Sequence, residues 1–429
     1  MPLTRSFGLV FSGNILGAVF SALTILVISR KLSVSDFGLF TLCLTIIRST
    51  PLLTSFGLDT SMMKFASSHI RDGQPDKAAE VVKTTLWLRL LAAVFLAVLI
   101  YVAAGPLSLM IFHSLKMAML LRVTALGVLA ASLFTNYKTV LWTYQLFKKF
   151  FFVQILTDSS RFVAVVLFAA AGLITPGVAV IAYCLSFFLG VSLTRREIWS
   201  KIIPAGKIRS EIIFKMLAYS KWIFLSDVCR MLTSAIGLFI VAHSLGSKAA
   251  GLYGLATTMT YLFPIIVTSL KAVLVPRVSR FSDRARFKRY IQRSLQMSSL
   301  AGIALLPLIF FSQDLIRFFF GIKYAAAAPI FNILLLASIF STIHLAIYAA
   351  LYALNRPFII GIVDIIKLIA MTLGIYLYIS PLGIMAPPIM LLIVNWAGLV
   401  FHIFYISRLL DAKDIVFDFD RQAAVESLP

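Results

Sequence analysis

Residues 29–42 read SRKLSVSDFGLFTL, a short polar stretch between two apolar runs that are each long enough to cross a bilayer. Residues 242–255, AHSLGSKAAGLYGL, repeat it in weaker form. The register is fixed: Leu32 maps to Leu245, Gly38 to Gly251 and Phe40 to Tyr253, each 213 positions on. A polar hairpin that recurs half a chain later, between the same kinds of neighbour, implies one membrane bundle written twice. Function is then expected between the halves.

Composition agrees. The chain has 429 residues, 60% of them hydrophobic and only 13% charged, with a mean hydropathy of +0.97. Soluble domains carry about 25% charged residues, so this is a polytopic membrane protein. Twelve spans of roughly 20 residues are expected, near 8–29, 37–58, 85–104, 118–137, 151–172, 177–194, 217–243, 251–274, 296–315, 328–352, 358–379 and 384–406. Runs this continuous are helices rather than the alternating strands of a barrel. The expected fold class is therefore all-α, as two six-helix lobes at 1–194 and 217–407. A basic linker at 195–216 joins them, and a charged tail at 408–429 follows. The first run is read as a retained helix rather than a cleaved signal peptide.

Net charge is +22. On a soluble protein that would suggest nucleic acid; here it reports topology. With the N-terminus cytoplasmic, 25 of the 39 basic residues fall in inside segments, five outside and nine within spans. Cytoplasmic loops carry the excess of Lys and Arg, so both termini are expected in the cytoplasm. Trp87, Trp142, Trp199 and Trp222 near inner span ends fit an interfacial belt. The basic stretch 277–293, with Phe281, Phe287, Tyr290 and Ile291 among its charges, reads as an amphipathic surface helix.

Three stretches carry a family resemblance: RKLSVSDFGLFTL at 30–42, its echo SLGSKAAGLYGLAT at 244–257, and LIRFFFGIKYAAAAPIFNILL at 315–335. In that order and spacing they resemble the multidrug/oligosaccharidyl-lipid/polysaccharide (MOP) exporter superfamily, in its polysaccharide repeat-unit, O-antigen type flippase branch. Asn355-Arg356-Pro357 resembles the branch's turn between the tenth and eleventh spans. The resemblance implies a V-shaped pair of bundles around a central cavity. It also implies alternating access that carries an undecaprenyl-diphosphate-linked glycan between leaflets of a bacterial inner membrane. A polysaccharide polymerase and a chain-length regulator are the expected partners, with membrane lipid and no nucleic acid. The rivals are a cation-coupled multidrug exporter of the same superfamily and a non-transporting scaffold.

Ionisable residues within a membrane are costly and mark function. Four acids each have a base three residues on, on one helix face: Asp158/Arg161, Asp227/Arg230, Asp314/Arg317 and Asp364/Lys367. Such a pair either lowers insertion cost or stands poised for an anion or a proton. Arg48 and Lys271 have no acid at i±3 or i±4. Arg48, Arg161, Arg230 and Lys271, with Asn14 beside Arg48, are the expected cationic cavity for a diphosphate. Asp158, Asp227, Asp364 and Lys367 are the expected coupling or ion-pair set. Arg89, Arg122 and Lys221 lie near span ends, where long side chains snorkel. Gly13 and Gly17 make a small-residue packing face on span one. Pro51 and Pro264, also 213 apart, are expected to kink spans two and eight. His243, His344 and His402 read as scattered, and no metal site, phosphate loop or hydrolase pattern is found, so neither catalysis nor a cofactor is expected. A proton or sodium gradient is the expected source of energy.

Overall fold

The structure, a computed structural model, describes residues 3–112, 114–199, 210–260, 284–354 and 356–411. Among them there are helices and no strands. The helices are α1 (Leu3–Lys31), α2 (Val34–Leu53), α3 (Leu58–Arg71), α4 (Pro75–Met110), α5 (Leu115–Thr143), α6 (Phe147–Ala170) and α7 (Pro176–Glu197). After them come α8 (Ser210–Thr260), α9 (Arg284–Ile303), α10 (Pro307–Phe320), α11 (Ala328–Ala353), α12 (Pro357–Leu382) and α13 (Ala386–Asp411). Their starts follow local chemistry. Ser33 caps α2 by accepting the Asp36 N–H at 3.1 Å, and Thr175 caps α7 by accepting that of Val178 at 3.2 Å. Proline opens α4, α7, α10 and α12, where its missing N–H costs nothing.

Nine stretches of the described residues are long and apolar enough to cross a membrane. Two of them are double. Gly246, with φ 83° and ψ 178°, breaks α8, and the 3₁₀ turn Gly383–Met385 separates α12 from α13. Counting α9 and α10 as one broken crossing, the helices accommodate the twelve spans expected. One detail differs. The ninth span is not straight: its helix stops at Ile303 and resumes at Pro307 with a bend of 40°. From residue 284 onward the basic stretch is helical, with Lys288, Arg289 and Arg293 exposed on one side and Ile291 buried on the other. It is the first part of α9, and Ile291 is 4% exposed against Ile347 and Leu351. Residues 277–283 lie outside the described residues, as do Pro264, Lys271, linker residues 200–209 and the tail from 412.

Pro51 is followed not by a kinked continuation of span two but by its end, at Leu53. Pro51 has no N–H for the Ile47 carbonyl, and the Thr50 hydroxyl takes that carbonyl instead at 3.2 Å. Five residues after Pro51 the chain turns through Phe56 (φ 47°) and Gly57 (φ 72°) into α3. The Pro51 carbonyl accepts Arg89 Nη2 at 2.6 Å, and Arg89 Nη1 pairs with Asp59 at 2.5 Å. Arg89 therefore does not snorkel. It is fully buried and ties α4 to both sides of the break in span two. Asp59 lies one residue past the break, too near the expected span end to count as intramembrane by position alone.

The two copies of the hairpin meet. A Cβ on Gly38 would sit 2.1 Å from the Ser247 carbonyl oxygen, and one on Gly251 would sit 2.0 Å from that of Val34. Val34 and Ser247 are themselves 213 apart. The contact maps onto itself when the halves are exchanged, which is the mark of a two-fold axis. Thr41 and Gly254 are equivalent positions and oppose each other: a Cβ on Gly254 would sit 2.4 Å from Thr41 Oγ1. The hydroxyls of Ser35 and Ser247 are hydrogen-bonded across the same seam. The glycines are there because the backbones touch.

The third stretch closes the same end. Arg30 donates to the Phe319 carbonyl at 2.7 Å and to that of Phe318 at 2.5 Å. Lys323 donates to the Leu32 carbonyl at 2.6 Å. Tyr324, fully buried, donates to the Ser29 carbonyl at 3.3 Å and sets its ring edge-on to Phe37. All three diagnostic stretches thus converge on one closed end of the bundle.

Candidate functional site

Each lobe holds a cavity with a buried carboxylate on its wall. In the first lobe a cavity of about 490 Å³ lies between α1, α2, α5, α6 and the second arm of α8. Arg48 reaches it from α2, and Asn14, Gly17 and Ser21 form its α1 wall. Gly17 makes room for the carboxylate, since a Cβ there would sit 2.5 Å from Asp158 Oδ2. Gly13, one turn earlier, packs on Phe151. Lys138 Nζ donates to Gln154 Oε1 at 2.6 Å, and the Gln154 amide donates to Asp158. A proton donor, a relay amide and an acid therefore stand in line along the wall.

Arg161 was expected at this cavity and is not among the residues that line it. It pairs with Asp158 at 3.1 Å, donates to Ser186 Oγ at 3.0 Å and lies 4.3 Å from the centre of the Tyr183 ring. At 4% exposure it sits between α6 and α7 and holds Asp158 from behind. Its place at the wall is taken by Lys138, which the charge sorting had put in a cytoplasmic loop. The span runs to Thr143, past the boundary expected at 137. The signal was present: Trp142, read as an interfacial marker, lies one turn outside Lys138, so Lys138 is deeper than the belt.

The second lobe answers with a cavity of about 390 Å³ between α8, α11, α12 and α13. Asp364, 1% exposed, accepts the Ser226 hydroxyl at 2.5 Å and the Tyr348 hydroxyl at 3.1 Å. Lys367 stands 4.0 Å away and Arg230 3.9 Å. Arg230 also pairs with Asp227 and packs on the Tyr348 ring. Arg230, Asp364 and Lys367 therefore share one site, and Asp227 joins it through Arg230. Two of the three histidines are not scattered, while His243 stays apart at the Ile111 carbonyl. His344, His402 and Tyr348 form a triangle of rings with centres 5.3–5.4 Å apart. His344 and Tyr348 are one helical turn apart, a spacing visible in the sequence; which helix would bring His402 was not. Asp314 and Arg317, by contrast, lie exposed on α10. Among the described residues no group of three potential metal ligands occurs.

Two helical lobes about a two-fold seam, each with a charged internal cavity, define a polytopic transporter-type bundle. The family model described as polysaccharide biosynthesis protein matches residues 27–329, and the chain belongs to that family. It is 24% identical, over 96% of its length and 85% of the relative's, to the "Probable low-salt glycan biosynthesis flippase Agl15" of Haloferax volcanii. It is 22% identical to the succinoglycan biosynthesis transport protein ExoT of Rhizobium meliloti strain 1021, over 78% of this chain and 63% of that one. In fold it matches an inward-facing MATE family transporter of the MOP superfamily, with a TM-score of 0.77 at 12% identity, covering 95% and 99% of the two chains. The lipid II flippase MurJ in an inward closed conformation matches at TM-score 0.71 and 16% identity, covering 98% and 95%. The fold is that of the MOP superfamily.

Proposed function

We propose that this protein is a flippase for a lipid-linked oligosaccharide, an undecaprenyl-diphosphate repeat unit destined for a surface polysaccharide. The observation that carries the reading is the cationic wall of the first cavity, with Arg48 and Lys138 both at its lining. A diphosphate brings about two negative charges, for which arginine offers a two-pronged fork and lysine a point charge. Membership of the polysaccharide biosynthesis family supports the same substrate class. A multidrug exporter for organic cations calls for acidic walls, and these cavities are not acidic.

The protein sits in the bacterial cytoplasmic membrane with both termini inside, as the division of basic residues, 24 to 5 once Lys138 is counted within its span, indicates. In that orientation the end closed by Gly38, Gly251 and Tyr324 faces outward, and substrate enters from the cytoplasmic leaflet. Alternating access opens this seam while the other end closes. A proton or sodium gradient drives the cycle through the acids Asp158, Asp227 and Asp364. The flippase works beside a polysaccharide polymerase and a chain-length regulator.

Deletion of the gene is expected to leave a lipid-linked glycan on the inner leaflet, identified by mass spectrometry of extracted lipids. Arg48→Ala is expected to abolish surface polymer while the protein remains in the membrane. Wild-type polymer in that variant would remove the cavity assignment. A cysteine placed at Ser33 is expected to react with an impermeant thiol reagent from outside; labelling only after lysis would reverse the orientation.

A further inference from the structure

The two cavities differ in what their walls can offer a ligand. The second is lined by the hydroxyls of Thr233, Ser234, Thr257, Ser338, Ser341 and Thr342. Each of these donates its proton to a carbonyl of its own helix, at 2.8–3.1 Å: Thr233 to Cys229, Ser234 to Met231, Thr257 to Gly254, Ser338 to Leu334, Ser341 to Ala337 and Thr342 to Ser338. A hydroxyl has one proton and two lone pairs, so each presents to a ligand only acceptor capacity. Asn395 Nδ2 is spent on the Ala337 carbonyl and on Ser341 Oγ, and the Tyr348 hydroxyl is spent on Asp364. The two cations at this wall, Arg230 and Lys367, are held by acids of the protein.

An occupant that satisfies such a wall must donate hydrogen bonds. A phosphate brings only acceptors and finds few donors here. A metal ion would meet two fixed cations against the single carboxylate of Asp364. A neutral sugar brings several hydroxyl protons. One side chain adds a second sign of a ligand: His344, 2% exposed at this wall, finds no side-chain partner for either ring nitrogen, and only the Gly398 backbone lies near it. Buried polar groups are normally paired, and a sugar hydroxyl can serve either nitrogen.

We infer that the second-lobe cavity is a glycan chamber: it takes the uncharged sugar portion of the substrate, while the Arg48 and Lys138 wall takes the anionic head. The inference rests on the flippase reading for the identity of the substrate. The volume of about 390 Å³ suits one or two sugar rings, so the chamber reads the end of the glycan it encloses and leaves the remainder in the central space.

Site-directed thiol protection on the full chain in lipid nanodiscs tests this. Ser338→Cys and, as an independent reporter, Thr342→Cys place a thiol in the chamber; Ser21→Cys places one in the first cavity. The native Cys43, Cys184 and Cys229 are buried and give the background. The probes are the phosphate-free repeat-unit oligosaccharide cut from the cell's own surface polysaccharide, and inorganic diphosphate. The oligosaccharide at ten times its dissociation constant is expected to slow labelling at 338 and 342 about elevenfold and to leave 21 unchanged; diphosphate is expected to do the reverse. Unprotected labelling at 338 and 342 in folded variants would overturn the chamber and mark it as a water-filled recess. Protection of those positions by diphosphate would overturn it equally. The flippase reading fails separately: if the deletion strain accumulates no lipid-linked glycan while the oligosaccharide still protects 338, the chamber stands and the transport assignment falls.

Discussion

The carboxylates of Asp158 and Asp364 occupy matched spans of the two lobes, each with a base three residues on, yet the lobes treat them differently. Opposite Asp158, span one supplies Gly17, with no side chain. The equivalent position in span seven, 213 residues on, is Arg230, which reaches Asp364 at 3.9 Å. In the second lobe the charges therefore answer one another: Asp364 has Arg230, Lys367, Ser226 and Tyr348 around it. In the first lobe one base, Arg161, is packed behind the acid, and the other cations, Arg48 and Lys138, stand at the open wall. The same i, i+3 pair is part of a neutralised brace in one half and stands beside an open cationic wall in the other. A duplicated fold can thus divide its labour by changing one residue on the facing helix.

The sharpest way to break this comparison is to neutralise each acid. Asp364→Asn leaves Lys367 buried without its carboxylate, a change that costs about 3–5 kcal/mol when one partner of a buried pair is removed. Asp158→Asn is expected to cost about 1–3 kcal/mol, because Arg161 keeps Ser186 and the faces of Tyr183 and Phe187. Thermal unfolding of the detergent-solubilised proteins measures both. Equal losses would show that the lobes use their acids alike.

The lysines sharpen it further. Lys138→Ala is expected to reduce polymer export strongly while changing thermal stability little, since it is held only by the Gln154 amide at the cavity edge and by the outer faces of the Phe134 and Phe150 rings. Lys367→Ala is expected to act the other way, lowering stability by leaving Asp364 more negative in a dry site, with export falling only as the folded population falls. The measurements are surface polymer per unit of folded protein and melting temperature. If both lysines lose export without losing stability, Lys367 holds the substrate directly as Lys138 does, and the brace assignment is wrong.

What the chain revealed in advance follows from what a helix repeats. Spans were legible because hydrocarbon thickness fixes their length. The glycine seam was legible because the same hairpin occurs twice with Gly38 mapping onto Gly251, and there the backbones do touch. Pairs within one helix, such as Asp158/Arg161, were legible because i and i+3 share a face. Pairs between helices were not. Nothing in the order of residues says that Arg89 meets Asp59, that Lys138 meets Gln154, or that His402 joins His344, because the rotation of each helix about its axis is set by packing. The one recoverable error was Lys138, whose depth Trp142 already marked. The role given to Lys271 lies outside the described residues.

The smallest effect tests the glycine that began the divergence. Gly17→Ala adds a Cβ 2.5 Å from Asp158 Oδ2, so the carboxylate must move. The helix itself gains, because alanine exceeds glycine in helix propensity by about 1 kcal/mol, and the two effects offset in stability. Export reads the displaced acid separately: the line from Lys138 through Gln154 to Asp158 is disturbed at its end. A severalfold loss of polymer with a nearly unchanged melting temperature is expected. Gly13→Ala is the control, since its Cβ meets only the ring of Phe151 at 3.0 Å, away from any charge. Export unchanged in Gly17→Ala but reduced in Gly13→Ala would mean that helix packing, not the position of the Asp158 carboxylate, sets the rate. The contrast between Gly17 and Arg230 would then be a difference of bulk rather than of charge.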